Sequence, residues 1–454
     1  MPTEGKRRFR TFSRSISPGD TWKGVAMSLG PIERHERNLS GWDFFLLWTG
    51  AAIALPEIWA GGLLASLGLV GGLLAILLGH LIGNTPMALG GIIGSRHGVP
   101  SIVSTRGALG PRGAFLPAAL NVIQLAGWTA VMVWIGGHAA ARLSPASLQY
   151  PRLWIVVCGG LTTLWALGGH RLWKTLQRFT VILLFLVSVV MTWIVVREYG
   201  WRNLAAVRPA EPGSFMLGLD LVIAMPLSWA LMTSDYSRYA RSTKGSFWGS
   251  WLGYFAGSCW MYAVGLCAAL ATQTATPDSM VLDLLHQHGL AIAALIVILL
   301  STLTTTFLDV YSNAVSLLSV VPRLGQRAAV LLCGVAGTLC AVFFPVTEYE
   351  SFLLLIGSAF SPLLGIVLAD YFLVKKGSYD ANGLFRRDPY WYNAGVNLRA
   401  IVAWGLGFVL CQVSSRQGWS IGASLPGMLA SAGLYLVAMA WRRGNASGEA
   451  GGTA

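Results

Sequence analysis

The sequence predicts an all-α integral membrane protein with about twelve transmembrane helices, and three observations carry that prediction. Of the 454 residues, 54% are hydrophobic and only 11% are charged, whereas about a quarter of the residues in a soluble domain are charged. The chain contains many separate apolar stretches, and its cations are distributed unevenly between them. This composition excludes a soluble enzyme, a nucleic-acid-binding protein and a disordered scaffold.

Twelve apolar stretches meet or approach the roughly 20 residues that a helix needs to cross a bilayer. We call them spans 1 to 12, and they cover residues 43–67, 70–94, 114–141, 152–169, 179–197, 214–236, 247–271, 289–320, 328–345, 351–373, 399–415 and 421–441. The six cysteines lie in apolar runs without a C-x-x-C pair, which indicates packing residues and not a disulfide or zinc framework. No apolar run precedes span 1, so we expect no cleavable signal peptide.

The distribution of Lys and Arg predicts the orientation of the chain. With a cytoplasmic N-terminus, 26 of the 32 Lys and Arg residues fall in segments on the cytoplasmic side and six on the opposite side. A cytoplasmic excess of this kind is typical of multi-span membrane proteins. It predicts cytoplasmic N- and C-termini in the cell membrane, and it explains the net charge of +13 without a nucleic-acid partner.

Spans 1 and 6 each carry a proline near their middle, which predicts an interrupted helix. Span 1 contains Gly50, then Pro56 followed directly by Glu57, and span 6 contains Pro226 three residues before Trp229. Proline removes an amide donor and leaves an upstream carbonyl unpaired. Ordinary proline kinks are the alternative. Because the two spans are five apart, a second unit of five would start from the opposite face, and paired interruptions of this kind indicate the central site of a transporter.

We therefore predict a five-plus-five inverted repeat. The chain then divides into a basic cytoplasmic tail (1–40), a first repeat of spans 1 to 5 (41–200), a second repeat of spans 6 to 10 (201–375), a cytoplasmic loop with spans 11 and 12 (376–441), and a cytoplasmic tail (442–454). A channel or a membrane-embedded enzyme is the alternative from another class. The seven histidines are scattered and no nucleophile elbow or HExxH motif is present, so we expect no enzyme activity.

Polar and aromatic residues of span 3 predict a site for a flat heteroaromatic ligand. Asn121, Gln124 and Trp128 are spaced by three and four residues and share one helical face. An indole stacks on a ring, while an amide offers a donor and an acceptor to ring nitrogens. Trp229, just after the proline of span 6, is positioned to close the site from the other side. For each tryptophan, packing or a place in the interface belt is the alternative.

Two carboxylates and a hydroxyl cluster complete the candidate site. Glu57 and Asp309 lie well inside spans 1 and 8. An acidic side chain inside a membrane is energetically costly, so an acid at such a position indicates a functional site. A hydrogen bond to a free backbone amide near a kink is the alternative for each acid. The hydroxyls of Ser301, Thr304 and Thr305 are spaced to face the interruption in span 1, where a sodium ion would find carbonyl oxygens. Bonds back to their own helix are the alternative for these hydroxyls.

The chain resembles the nucleobase–cation symporter-1 family of cytosine permeases and of hydantoin and allantoin carriers. The segments that carry the resemblance are Trp48–Gly62, Leu125–Trp128, Asp235–Arg241, Ile356–Leu363 running on to Asp370–Tyr371, and Tyr390–Asn393 with Gly395–Ala400. Together they extend over nearly the whole chain. Within the family, Gly50–Ile53, Glu57, Gly61–Leu64 and Leu77–Gly83 look most like the branch assigned to uptake of hydroxymethylpyrimidine, a thiamine precursor.

The resemblance implies a LeuT-type fold, with substrate between spans 1, 3, 6 and 8 and one sodium ion between spans 1 and 8. Trp128 and Trp229 match the family's aromatic positions. The residues that match its sodium site are Ser301, Thr304 and Thr305, with the carbonyls of Gly50 and Ile53. One departure is Met132, where hydantoin carriers have a glutamine, so Gln124 is the candidate for that role.

These observations predict a secondary active symporter that imports hydroxymethylpyrimidine with sodium and needs no other cofactor. Two alternatives remain open. One concerns the substrate, which would be cytosine, a purine or allantoin. The other concerns the coupling ion, which would be a proton carried by Glu57 or Asp309.

Overall fold

The computed structural model describes residues 29–168, 170–209, 213–272, 289, 291–343, 348–386 and 389–451. Within these ranges it leaves out the side chains of residues 170–179, 181, 291, 293, 294, 297 and 442–451. Most of the predicted N-terminal tail, residues 1–28, lies outside the described residues, and so do residues 452–454.

The described residues are almost entirely helical, which confirms the all-α prediction. The α-helices, in chain order from α1 to α16, are Gly41–Ala52, Leu55–Leu63, Gly68–His97, Ser101–Leu109, Phe115–Leu143, Pro151–Leu167, His170–Tyr199, Trp201–Ala206, Phe215–Ser228, Thr233–Ser237, Thr243–Thr272, Ala291–Val320, Gln326–Val342, Tyr349–Leu368, Leu398–Gln417 and Ser424–Gly451. Helix α14 continues as a π-helix over Ala369–Val374. Outside the helices, the described residues contain one isolated β-bridge, between Leu39 and Ala240.

Each predicted span coincides with a helix or a pair of helices. Eight stretches of the described chain are long and apolar enough to cross a membrane, and the apolar helices α6 and α13 are shorter, with 17 residues each. The count of twelve crossings stays a prediction, as does the division into segments. Helix α16 continues into the predicted cytoplasmic tail 442–454, as far as Gly451.

Burial separates central helices from peripheral ones. Segment Phe215–Ser237 contains α9 and α10, and 78% of its most apolar 18 residues are buried inside the protein. The corresponding share for Ser424–Trp441 in α16 is 28%. The outer helices expose large apolar side chains such as Val437 and Leu429, which suit contact with lipid. The interrupted helices therefore lie at the centre of the bundle.

Glycines allow α2 to pack closely against α11. A Cβ atom at Gly61 would lie 2.1 Å from the carbonyl oxygen of Tyr262, and one at Gly265 would lie 1.8 Å from the carbonyl oxygen of Ile58. Real Cβ atoms do not approach backbone so closely, so both positions require glycine for this contact. The contact holds the second half of span 1, which carries Glu57, directly beside α11.

Candidate substrate and ion site

Span 1 is interrupted where the sequence predicts a break. Helix α1 ends at Ala52, and Ile53 and Ala54 leave the helical conformation, with Ala54 extended at φ −140° and ψ 158°. The Ile53 N–H still donates to the carbonyl of Thr49 at 3.0 Å. Pro56 stands in the first turn of α2, where its missing N–H costs nothing.

Span 6 is also interrupted, but three residues later than predicted. Helix α9 continues through Pro226 to Ser228, and a chain of turns follows before α10 begins at Thr233. Pro226 lies in the last turn of α9, where its missing N–H leaves the carbonyl of Val222 without its intrahelical donor. Trp229 therefore lies in the interruption itself and not beyond it.

Side chains from both interrupted helices meet in one cavity with side chains from α5 and α12. The residues that line it are Pro56, Glu57, Trp128, Met132, Met225, Trp229, Thr305 and Asp309. The cavity is narrow. The volume in which the centre of a water molecule could lie is about 10 Å³, which is room for about one water molecule. Its walls must therefore separate before a heterocyclic ring can enter.

The structure brings Trp128 and Trp229 together as predicted, on α5 and at the break after α9. Trp128 is 7% exposed, and the rings of Tyr349 and Phe352 pack edge-on against it at centroid distances of 6.1 and 5.5 Å. Trp229 is 6% exposed, and its ring meets the ring of Trp48 edge-on at 5.6 Å. The ring planes in these pairs are inclined by 68° to 90°, so neither indole is stacked face to face on these neighbours.

Glu57 and Asp309 also line the cavity, and both are 2% exposed. The Tyr254 hydroxyl donates to Oε1 of Glu57 at 3.2 Å. Oδ2 of Asp309 has no hydrogen-bond partner within the described residues. A buried acceptor without a partner is costly, so Asp309 is positioned to accept a hydrogen bond from a bound molecule.

Three other intramembrane or near-membrane acids have structural partners. Asp220 accepts hydrogen bonds from the backbone amides of Ala423 and Ser424 at 2.7 and 2.8 Å, at the start of α16. Asp235 accepts from the Ser101 amide at 2.8 Å. Asp370 accepts from two tyrosine hydroxyls at 2.7 and 2.6 Å. None of the three lines the cavity that holds Glu57 and Asp309.

Asn121 and Gln124 lie next to the site but do not line the cavity. The Gln124 amide nitrogen donates to Oδ1 of Asn121 and to the carbonyl of Ser228, both at 2.8 Å. The Asn121 amide nitrogen donates to the Ser316 hydroxyl at 2.7 Å. The amides thus hold α5 against α12 and satisfy a carbonyl at the end of α9. In this arrangement their donors serve the protein and not a ligand.

We expect Asn121→Ala to lower the free energy of unfolding by about 1–3 kcal/mol, because it leaves buried polar partners unsatisfied, while ligand affinity changes less than about twofold. Ligand-free melting temperature and ligand dissociation constant would be measured together. A tenfold loss of affinity at an unchanged melting temperature would instead place Asn121 in contact with the ligand.

The predicted sodium residues lie where α12 faces the break in span 1. The Ser301 hydroxyl donates to the carbonyl of Ile53 at 3.4 Å. The Thr304 hydroxyl donates back to its own helix, to Leu300 at 2.9 Å and to Ser301 at 3.2 Å, as the alternative anticipates. A hydroxyl that donates still has lone pairs for a cation.

Thr305 and Gly50 are the remaining residues of the predicted sodium site. The Thr305 hydroxyl has no partner within the described residues and lines the cavity. Gly50 is buried one turn before the break, in the last turn of α1. Of the predicted sodium ligands, the structure brings the Ser301 hydroxyl and the Ile53 carbonyl into contact. No cluster of acid, histidine or cysteine residues suited to a metal occurs in the described part of the chain.

Sequence reasoning missed two kinds of residue in this site. Met132 and Met225 line the cavity, and only the departure from the family pattern at Met132 drew attention to one of them. Tyr254 and Tyr349 contact the break from α11 and α14, and the Tyr349 hydroxyl donates to the carbonyl of Pro56 at 3.0 Å. No spacing in the sequence marks residues that reach the site from distant helices.

Comparison with known proteins identifies relatives over most of the chain. Residues 31–434 match the model of a family described as permeases for cytosine/purines, uracil, thiamine and allantoin. The purine-uracil permease NCS1 of Arabidopsis thaliana is 26% identical over 419 residues, which is 84% of this chain and 70% of that protein. A cytosine permease of Escherichia coli is 25% identical over 287 residues, which is 63% of this chain and 66% of that protein.

A solved structure supports the fold. Mhp1, a nucleobase-cation-symport-1 family transporter in a closed conformation with bromovinylhydantoin bound, matches with a TM-score of 0.82. The two sequences are 21% identical, and the match covers 91% of this chain and 95% of that chain. The LeuT-type inverted repeat with two interrupted helices, expected from the sequence, is confirmed as the fold.

Proposed function

This chain belongs to the family of permeases for cytosine/purines, uracil, thiamine and allantoin, and we propose that it imports a pyrimidine-like heterocycle together with sodium. It is a multi-pass membrane transporter of the nucleobase–cation symporter type and not an enzyme. Our first candidate for the substrate is hydroxymethylpyrimidine. Cytosine, purines and allantoin are the alternatives.

The observation that carries the proposal is the convergence of two indoles and two carboxylates on one cavity. Trp128 and Trp229 would stack on the faces of a planar ring. Glu57 and Asp309 would accept hydrogen bonds from amino or hydroxyl groups at its edge. Hydroxymethylpyrimidine carries both an amino and a hydroxyl group, so it can supply a donor to each acid. The relatives' names, purine-uracil permease and cytosine permease, support the same class of ligand.

Sodium coupling is proposed from the contact between α12 and the break in span 1. A sodium ion would be held by the carbonyls of Gly50 and Ile53 and by the hydroxyls of Ser301, Thr304 and Thr305. Thr305 lines the substrate cavity as well, so an ion bound there would stabilise the cavity wall. Such coupling is reciprocal, because each ligand must raise the affinity for the other by the same factor.

Transport then requires the cavity to open toward one side of the membrane at a time. The cavity of this structure is too narrow for a ring, and its walls come from two interrupted helices and two continuous ones. Movement at the interruptions would open it without unfolding a complete helix.

From the distribution of Lys and Arg, we propose that both termini face the cytoplasm. An epitope placed after residue 454 should react with an antibody only in permeabilised cells. Labelling of intact cells would show that the C-terminus faces the outside instead.

Proton coupling is the second candidate, and a specific observation favours it. Glu57 and Asp309 face one cavity, and no Lys, Arg or His lines that cavity within the described residues. Two charged carboxylates that line one cavity repel each other, and a proton or cation shared between them would relieve that repulsion. A proton on one acid would serve in place of sodium.

The decisive test is the melting temperature of purified protein with a panel of heterocycles, in sodium and in choline buffers. A ligand that binds only the native state raises its stability, and the increase grows with the logarithm of the ligand concentration once that exceeds the dissociation constant. We expect hydroxymethylpyrimidine to give the largest shift and sodium to enlarge it. A shift with cytosine or a purine that is independent of sodium but changes with pH would support the alternative substrate and proton coupling. No shift with any heterocycle would contradict the proposal.

A further inference from the structure

We propose that Tyr254 is a positioning residue whose hydroxyl fixes the Trp229 ring and the Glu57 carboxyl relative to each other. This inference rests on the proposed function, in which those two groups bind the heterocycle. Tyr254 lies on α11 and is fully buried. It does not line the cavity, so it would act through its two neighbours and not by touching the substrate.

One hydroxyl joins the two interrupted helices. Nε1 of Trp229, in the break after α9, donates to the Tyr254 hydroxyl oxygen at 3.0 Å. The same hydroxyl donates to Oε1 of Glu57, in the first turn of α2, at 3.2 Å. The indole N–H can only donate, so the Tyr254 oxygen accepts from Trp229, and the phenol proton is then available to the Glu57 carboxylate.

The only other hydrogen bond of these two groups in the described residues is the one that the Glu57 carboxyl accepts from its own backbone amide. Within the described part of the chain, no other side chain is hydrogen-bonded to Glu57 or to Nε1 of Trp229. Loss of the hydroxyl would leave a buried donor and a buried acceptor unsatisfied, and buried polar groups without partners are expensive. Each would then be free to seek a new partner by moving the group that is proposed to bind the ring.

The aromatic ring of Tyr254 is held separately from its hydroxyl. It packs edge-on against Trp48 at a centroid distance of 6.1 Å and lies 6.2 Å from the ring of Trp229. The close contact of α2 with α11 through Gly61 and Gly265 fixes the same region. Tyr254→Phe would therefore keep the packing and remove the hydrogen-bonding bridge, together with the contact between the same hydroxyl and the Ser258 side chain.

Tyr262 provides a matched control on the same helix. It lies two turns after Tyr254, is equally buried, and its hydroxyl has no hydrogen-bond partner within the described residues. Tyr262→Phe removes the same atom from the same kind of environment without breaking a bond. The difference between the two variants isolates the bridge.

The experiment measures heterocycle uptake and ligand dissociation constants for wild type, Tyr254→Phe, Tyr262→Phe, Glu57→Gln and the double variant of Tyr254→Phe with Glu57→Gln. We expect Tyr254→Phe to raise KM and the dissociation constant by about fivefold or more, with Tyr262→Phe within about twofold of wild type. If Tyr254 acts through Glu57, the double variant should lose less than the product of the two single losses.

The result that would overturn the inference is an unchanged KM in Tyr254→Phe, or an equal rise in Tyr262→Phe. A purely structural role would lower the ligand-free melting temperature and the maximal rate while KM stays constant. Failure of the proposed function looks different, because wild type itself would then bind and transport no heterocycle of the panel.

Discussion

Trp128→Ala is expected to weaken heterocycle binding by about 1–3 kcal/mol, a factor of about 5 to 150 in the dissociation constant. Stacking between a base and an aromatic side chain has this magnitude in other proteins. In the structure Trp128 lines the same cavity as Asp309, and its ring forms T-shaped pairs with those of Tyr349 and Phe352. The dissociation constant for hydroxymethylpyrimidine, measured by calorimetry in sodium, checks the prediction.

Trp134→Ala on the same helix is the control for this variant. The Trp134 ring stacks on His138 at a centroid distance of 3.8 Å, away from the residues that line the cavity. Both variants remove an indole from α5, so the ligand-free melting temperature should fall in each. Affinity should fall only in Trp128→Ala. Equal affinity in Trp128→Ala and wild type would make Trp128 a packing residue.

Thr305→Ala should abolish the dependence of substrate affinity on sodium, while binding without sodium stays close to that of wild type. Couplings between two sites usually amount to about 1–3 kcal/mol, or 5- to 150-fold in affinity. The Thr305 hydroxyl is buried, unpartnered within the described residues and next to the substrate cavity. Substrate dissociation constants at high and zero sodium give the coupling factor directly.

Thr302→Ala is the matched control for the sodium prediction. Thr302 lies on the same helix and is fully buried, but its hydroxyl faces α5, where it donates to the carbonyl of Met132 at 3.4 Å. We expect its coupling factor to equal that of wild type. Persistence of sodium dependence in Thr305→Ala would remove Thr305 from the ion site. Absence of sodium dependence in wild type would direct attention to protons on Glu57 and Asp309.

Features that depend on local sequence were predicted closely. The apolar stretches locate the helices because a bilayer demands continuous hydrogen-bonded helix wherever the chain contacts lipid. The interruption of span 1 follows from Pro56, which lacks an amide, and appears within three residues of it. In span 6 the break follows Pro226 by three residues, because the position of a helix end also depends on what satisfies its last carbonyls.

The tryptophans and acids of the site were predicted because their presence inside a membrane span is itself informative. Trp128, Trp229, Glu57 and Asp309 all meet in one cavity. The amides of span 3 were less well described by the sequence. Asn121 and Gln124 share a face with Trp128, yet they bond to Ser316 and Ser228, because those partners are 195 and 104 residues away along the chain.

Helix positions, the pairing of interrupted spans and the residue types of the site were thus readable from one sequence, since each follows from length, periodicity or the cost of a polar group in lipid. Tertiary packing alone decided which polar side chains are hydrogen-bonded to each other and which keep a free donor or acceptor. The Tyr254 hydroxyl, which joins Trp229 to Glu57, is the clearest case. A hydrogen bond between helices depends on the relative depth and rotation of both, and these are determined by contacts throughout the bundle, such as the approach of Gly61 and Gly265 to neighbouring backbone.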